Sequence, residues 1–301
     1  MRKILVLGGN GFIGRNLCRF LADVGEKVYS FDMSLPKERD ERIEYMDGDF
    51  FDDYTLEKII KGMDVIFHAI CTLNPGNSNE KCIVGYERDF VQTAKLCSYI
   101  KDTNCRMIFF SSGGTVYGNQ ELQPILETAV PVPINHYGNL KLCIENTIRT
   151  FNFQMKKNML VARISNPYGP GQDYHKGVGF IDAAIKRALS GETIEIWGDG
   201  TVVRDYIYID DLCKMLYALV DYHGELEVFN LSSGTGVSQN DILEILKEIL
   251  PELKVSYTPA RSVDAKKIIL DNARIQSICD LELVGIKEGI HRYYEYIKQG
   301  K

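Results

Sequence analysis

The feature that most constrains this chain lies within its first fifteen residues. Lys3-Ile4-Leu5-Val6-Leu7 is an apolar run that breaks into Gly8-Gly9-Asn10-Gly11-Phe12-Ile13-Gly14. Apolar residues then recur at helical spacing (Phe12, Ile13, Leu17, Phe20, Leu21 and Val24), and Gly25 follows as a candidate C-cap. Strand, glycine turn and helix in direct succession leave few options. Gly8 permits a sharp exit from the strand, Gly11 has no side chain to obstruct a pyrophosphate, and Gly14 lets the helix lie close to the sheet. The free N–H groups of the first helical turn then face whatever anion enters the turn.

The next 150 residues or so repeat the rhythm. Short apolar runs at 27–31, 42–46, 65–68, 107–110 and 159–164 read as strands. Segments 55–61, 80–100 and 135–156 read as helices. Strands apolar throughout and separated by helices indicate a parallel sheet covered on both faces. Beyond Ile164 the pattern turns irregular. Asn166-Pro167-Tyr168-Gly169-Pro170-Gly171 reads as a loop, 179–189 and 239–250 as helices, and 193–196, 206–209 and 227–229 as strands. The expected fold is α/β, with a doubly wound dinucleotide-binding domain over 1–164. A smaller α/β substrate lobe is expected over 165–301, with some chain crossing back.

Composition narrows the function classes. The chain has 301 residues, of which 45% are apolar and 25% charged, an ordinary globular balance. Its formal net charge of −6 argues against bulk electrostatic attraction to nucleic acid or an anionic membrane. It contains no apolar run long enough to span a bilayer, and the N-terminal run is too short for a signal-peptide core. Eight cysteines are scattered without a Cys-x-x-Cys pair, which suggests reduced thiols, a cytoplasmic protein and no metal.

Individual side chains add chemistry. Asp32 closes the second predicted strand, where a carboxylate accepts from both ribose hydroxyls of an adenosine and repels a 2′-phosphate. That favours NAD; the alternative is a turn cap before Ser34 and Pro36. Asp49 is placed to accept from an adenine amino group, or else belongs to a helix-capping cluster in which Asp52 fits better. Tyr137 and Lys141, four apart, share one helix face. A lysine and a cationic nicotinamide would both favour a phenolate, and a phenolate is a base for a sugar or alcohol hydroxyl. Ser111-Ser112-Gly113-Gly114-Thr115-Val116-Tyr117-Gly118 ends the fifth predicted strand, where a hydroxyl could polarise the substrate oxygen.

Together these motifs resemble the extended short-chain dehydrogenase/reductase family, specifically its NAD-dependent epimerase/dehydratase group and within it the UDP-glucose 4-epimerases. The likeness runs along essentially the whole chain. Besides the segments above it rests on Asp64-Val65-Ile66-Phe67-His68, Asn166 to Gly169, Ile196-Trp197-Gly198-Asp199-Gly200 and Arg204-Asp205-Tyr206-Ile207-Tyr208-Ile209-Asp210-Asp211-Leu212. It implies a Rossmann-type sheet and an NAD site formed by Gly8, Gly11, Phe12, Ile13, Gly14, Asp32, Met33, Asp49, Phe50, Ala69, Ile70, Ser111, Tyr137, Lys141 and Tyr168. It implies Tyr137 as the base, with Lys141 tuning it and holding the nicotinamide ribose. A UDP-sugar would be held by Asn166, Glu195, Trp197, Arg204, Tyr206, Arg261 and Asp264. Of these, Glu195 and Trp197 would flank the uracil, Arg204 and Arg261 the diphosphate, and Asp264 a ribose hydroxyl. For Arg204 the alternative is a salt bridge to Asp205 or Asp210. A homodimer through helices 80–100 and 135–156 is likewise implied.

Three positions depart from the family pattern. Gly113 stands where a catalytic Ser or Thr is usual, so Ser112 or Thr115 must supply the hydroxyl or none does. His68-Ala69-Ile70-Cys71 makes the wall beside the nicotinamide bulkier than the usual His-x-Ala-Ala. Ile268, of intermediate size, stands where the pattern separates sugars from N-acetyl sugars. The leading expectation is a 4-epimerase of UDP-glucose/UDP-galactose, or of the N-acetylated pair, through a transient 4-keto sugar. A 4-keto-sugar reductase and a non-catalytic NAD-binding protein are the alternatives. A 4,6-dehydratase is disfavoured, because Gly114 and Thr115 occupy the places of its acid–base pair.

Overall fold

A computed structural model describes residues 1–173, 175, 179–259 and 265–299. The apolar runs pair as parallel strands, buried on both faces except in the edge strand Ile43–Asp47. In strand Lys3–Leu7, Ile4 and Val6 enter one core cluster, and Leu5 and Leu7 enter another on the opposite face. The strand Arg106–Ser112 divides in the same way, with Ile108 and Phe110 on one side and Met107 and Phe109 on the other. The period-2 alternation of a strand is present but masked, since both of its faces are apolar.

The sheet has seven strands in the order Val228–Leu231, Leu160–Ile164, Arg106–Ser112, Val65–His68, Lys3–Leu7, Lys27–Asp32 and Ile43–Asp47. All pairings are parallel. Between Lys3–Leu7 and Val65–His68 the winding reverses direction. That switch point opens a crevice at the carboxyl ends of the strands.

Helices cover both faces. Phe12–Asp23 and Ile209–Ala218 pack together through Leu17, Leu21, Leu212 and Leu216. His136–Met155 and Val91–Ile100 cover the opposite face. The single helix expected over 80–100 is in fact three segments: Ser78–Val84, a π-helical turn Gly85–Phe90, and Val91–Ile100. Gly85 packs so closely on Leu73 that a Cβ there would come within 2.3 Å of Cδ1. Among the described residues no helix is long and apolar enough to cross a membrane.

The later part of the chain forms smaller sheets. Val203–Tyr208 pairs with Asn166–Tyr168, Gly236–Ser238 and Lys267–Ile268, and Thr193–Trp197 pairs with Lys254–Thr258. A third core cluster, built around Tyr168, Ile185, Ile196, Leu246 and Tyr293, joins them. The segment expected as a loop at 166–171 begins with the strand Asn166–Tyr168. The helices Ala273–Cys279 and Ile286–Lys298 are further elements beyond the predicted set.

Candidate active site

The crevice at the switch point is a cleft of about 710 Å³. Gly8, Gly11, Phe12, Ile13 and Gly14 line one end of it. Gly8 adopts φ +88°, and a Cβ on Gly14 would lie 2.1 Å from the Gly8 carbonyl oxygen, so a side chain fits at neither position. Helix Phe12–Asp23 starts at Gly11 with no side-chain cap and no acidic residue in its first turn. Its first N–H groups and the positive end of its dipole therefore face the cleft without an internal anion, which suits a diphosphate.

Asp32 sits at the edge of this turn. Its Oδ2 accepts from Asn10 N at 3.0 Å and its Oδ1 from Met33 N at 2.8 Å. A carboxylate has about four acceptor sites, so both oxygens retain capacity for ribose hydroxyls. Turn capping and ribose recognition are thus compatible. Asp49 Oδ1 accepts from Phe51 N at 2.9 Å, and its Oδ2 faces Arg88 at 3.8 Å. Asp52 is the helix cap, accepting from Thr55 N at 2.8 Å. Phe50 is buried, Met33 is exposed, and Ile70 packs beside Gly8. These residues flank the cleft without lining it, whereas Ala69 lines it.

At the base of the cleft, Asn135 caps helix His136–Met155 by accepting from Gly138 N at 2.8 Å, which sets Tyr137 in the first turn. Lys141 is buried one turn on. Its Nζ donates to the Phe110 carbonyl at 2.9 Å and lies 5.6 Å from the centre of the Tyr137 ring. Burial raises the Tyr137 phenol above its ordinary value, while Lys141 and the neighbouring Ser112 pull it back. Ser112 is therefore the hydroxyl brought to Tyr137. Thr115 also lines the cleft, and its Oγ1 lies 3.5 Å from the Ser112 carbonyl. Ser111 reaches the cleft wall, but its hydroxyl donates to Glu145. Glu145 in turn pairs with Arg163 at 2.6 Å, a buried ion pair inside a strand expected to be wholly apolar.

The structure gives Gly113 a steric reason. A Cβ there would lie 2.3 Å from Leu270 Cδ1, so Leu270 fills the space a Ser or Thr side chain would need. Gly114 differs, since the nearest atom to its Cβ position is Asn166 Oδ1 at 3.9 Å. Asn166 donates from Nδ2 to the Asp205 carbonyl at 2.8 Å and lines the same cleft.

The far wall carries Trp197, Arg204, Tyr206, Tyr168 and Ile268. In strand Thr193–Trp197 the buried residues are Ile194 and Ile196, so Glu195 and Trp197 share the exposed face, but only Trp197 of the two lines the cleft. Burial pushes Tyr206 up to about 12, against the pull of Arg204. Arg204 Nη1 donates to the Val203 carbonyl at 2.9 Å. The Asp205 carboxylate is occupied elsewhere. It accepts from Ser233 N and Oγ at 2.9 and 2.8 Å, Gly234 N at 3.1 Å and Leu270 N at 3.3 Å. Arg261 and Asp264 lie outside the described residues.

Several lining residues carried no signal in the sequence. Phe180, Gln239 and Ala265 reach the cleft from elements with no motif of their own. Leu270 could be suspected from Gly113, since a missing side chain implies a neighbour in its place, but nothing local says which neighbour. Cys71, flagged only for its bulk, lines the wall beside Lys141.

Comparison with known proteins gives a consistent picture. Residues 4–232 match the model of the NAD dependent epimerase/dehydratase family. A UDP-glucose 4-epimerase of Halalkalibacterium halodurans is 28% identical, the match covering 93% of this chain and 90% of that protein. A dTDP-4-dehydro-6-deoxyglucose reductase of Escherichia coli is also 28% identical, over 90% of this chain and 89% of that one. The structure of a UDP-glucose 4-epimerase from Thermotoga maritima, determined with UDP-glucose, superposes with a TM-score of 0.91 at 30% identity over 99% of both chains.

Proposed function

The chain belongs to the NAD-dependent epimerase/dehydratase family, and on that premise we propose that it is a 4-epimerase of a UDP-hexose. One observation carries the reading: Ser112, Tyr137 and Lys141 converge at the base of a cleft whose two ends suit two different ligands. The glycine turn and helix N-terminus would hold the diphosphate of NAD, and Asp32 its adenosine ribose. When bound, NAD would supply a reversible acceptor for the hydride of the sugar C4, so the reaction would need no external oxidant.

The chain's own residues do the rest. Tyr137 would remove the proton of the 4-hydroxyl and return it to the same oxygen after the 4-keto sugar has turned over and presented its other face. Ser112 would hold the substrate oxygen in the role that Gly113 cannot fill. Lys141 favours the phenolate electrostatically and would bind the nicotinamide ribose. Arg204 would offset the charge of the substrate diphosphate, with Trp197 beside the base and Asn166 beside the sugar. In a protein of net charge −6, an anionic substrate requires local positive charge of this kind. Neither Gly114 nor Thr115 carries a carboxyl, which favours epimerisation over elimination.

The test is to incubate the enzyme with catalytic NAD and UDP-glucose, or UDP-N-acetylglucosamine, and to follow the 4-epimer by NMR. Interconversion is expected; none with any UDP-hexose would sink the reading. The similarity to a 4-keto-sugar reductase favours a second reading. Reduced cofactor that exchanges freely, with net consumption of a 4-keto sugar, would establish that one instead. Exposed Ile83, Val84, Val91 and Phe153 on the helices packed over one sheet face support a homodimer through that surface. Eight unpaired cysteines support a cytoplasmic location.

A further inference from the structure

Behind Tyr137 and Lys141 lies a cluster that the mechanism above does not use. Asp89 is buried within the π-helical turn Gly85–Phe90, and such turns occur frequently at functional sites. Its Oδ2 accepts from Thr72 N at 2.8 Å, Thr72 Oγ1 at 2.9 Å and the Cys71 thiol at 3.4 Å. Its Oδ1 is buried with no hydrogen-bond partner among the described residues. Cys71 and Lys141 line the same cleft, and the thiol feels both charges, Lys141 pulling it down and Asp89 pushing it up. We propose that Asp89 is a positioning residue: through the Cys71 thiol it balances the buried Lys141 ammonium and so holds that cation beside Tyr137 before any ligand enters. The proposal rests on Tyr137 and Lys141 being the reacting pair.

The argument is one of charge. A buried ammonium loses several kcal/mol of hydration, which its surroundings must replace. The other neighbours of Lys141 are neutral: the Phe110 carbonyl, the Phe109 ring at 4.7 Å and the Tyr137 ring. Burial raises both the Cys71 thiol and the Tyr137 phenol, so neither carries charge at neutral pH. His68, on the strand beside the cluster, is neutral as well. Burial, reinforced by Lys141, pulls it down to about 3, and its Nε2 is bonded to Thr93 Oγ1 at 2.9 Å. Thr93 in turn donates to the Asp89 carbonyl at 2.7 Å. Arg88, next in sequence, turns away to Asp49. That leaves the Asp89 carboxyl as the counter-charge. Burial by itself would push Lys141 down; Cys71 and Tyr137 oppose that only once ionised, which leaves Asp89 to oppose it at neutral pH.

Cys71 reports on the arrangement directly, because it opens onto the cleft and senses both charges. The experiment is alkylation of the full-length protein with iodoacetamide across a pH range, with the Cys71 peptide quantified by mass spectrometry. In Asp89→Asn the Cys71 midpoint should fall by about one pH unit, making alkylation about tenfold faster at pH 8. Asp89→Glu should stay close to the native midpoint, and Lys141→Met should move it upward. A midpoint unchanged or raised in folded Asp89→Asn overturns the proposal. Asp89→Ser, smaller and equally neutral, serves should the amide not be accommodated. The measurement uses neither sugar nucleotide nor cofactor, so it stands or falls separately from the UDP-hexose assay.

Discussion

The two walls of the cleft share apolar packing, but one of them is tied by a buried polar knot as well. On the cofactor side, Gly8, Asp32, Ala69 and Ser112 each lie at or just past the carboxyl end of a strand in the seven-stranded sheet. Those strands are clamped by apolar clusters on both faces, so the wall is a by-product of the core. On the substrate side, Asn166, Trp197, Arg204 and Tyr206 come from strands of three, five and six residues in small separate sheets. The third apolar cluster joins these pieces, and the buried Asp205 carboxylate adds to it by drawing Ser233, Gly234 and Leu270 to the strand that carries Arg204. One wall depends on non-directional packing, and the other adds directional hydrogen bonds to its packing. A polar knot of that kind localises stability in a few atoms.

Three measurements would sharpen or break this contrast. The largest effect belongs to the chemistry that the rigid wall positions. Tyr137→Phe should lower kcat by about 10³-fold, the scale of a lost general base, with the circular dichroism spectrum unchanged. Near-native turnover would remove Tyr137 as the base. Next is the polar knot, where Asp205→Ala should cost about 2–4 kcal/mol in urea unfolding, because its buried donors lose their acceptor. A loss below about 1 kcal/mol would mean that the substrate wall is held by packing alone.

The smallest effect concerns a polar group within the apolar wall. His68 is buried and neutral, drawn down to about 3 by burial with Lys141 adding to the effect. In the unfolded chain it takes up a proton below about 6.5. Between those values the unfolded state binds more protons, so stability falls as pH drops through the window, by up to about 1.4 kcal/mol per pH unit. His68→Phe should flatten that slope in acid unfolding curves. An unchanged slope would assign the acid sensitivity to other groups.

The same contrast explains what could be read in advance. In the first half, strands and most helices lie within a few residues of their expected limits, because a long apolar period and a glycine turn are local signals. The helix expected over 80–100 is the exception. Its π turn begins at Gly85, which packs on Leu73, and Leu73 lies in the loop after a strand, where no helical pattern includes it. Beyond Ile164, strands of two and three residues such as Lys267–Ile268 and Gly236–Ser238 are too short to leave a periodicity. The buried Arg163 within an apolar strand likewise becomes intelligible only with Glu145 across from it.

By itself the sequence determined the doubly wound sheet, the phosphate-binding turn, and the Tyr137–Lys141 pair on one helix face, because each rests on spacing within a single element. Only the tertiary structure decided which hydroxyl meets Tyr137. Leu270, brought in beside Gly113 from far along the chain, takes the space of the usual side chain, and Ser112 is the hydroxyl that acts on the phenol. It also decided that Asp89 stands behind Lys141, since a buried charge and its counter-charge are matched by distance in space, and separation along the chain carries no record of that distance.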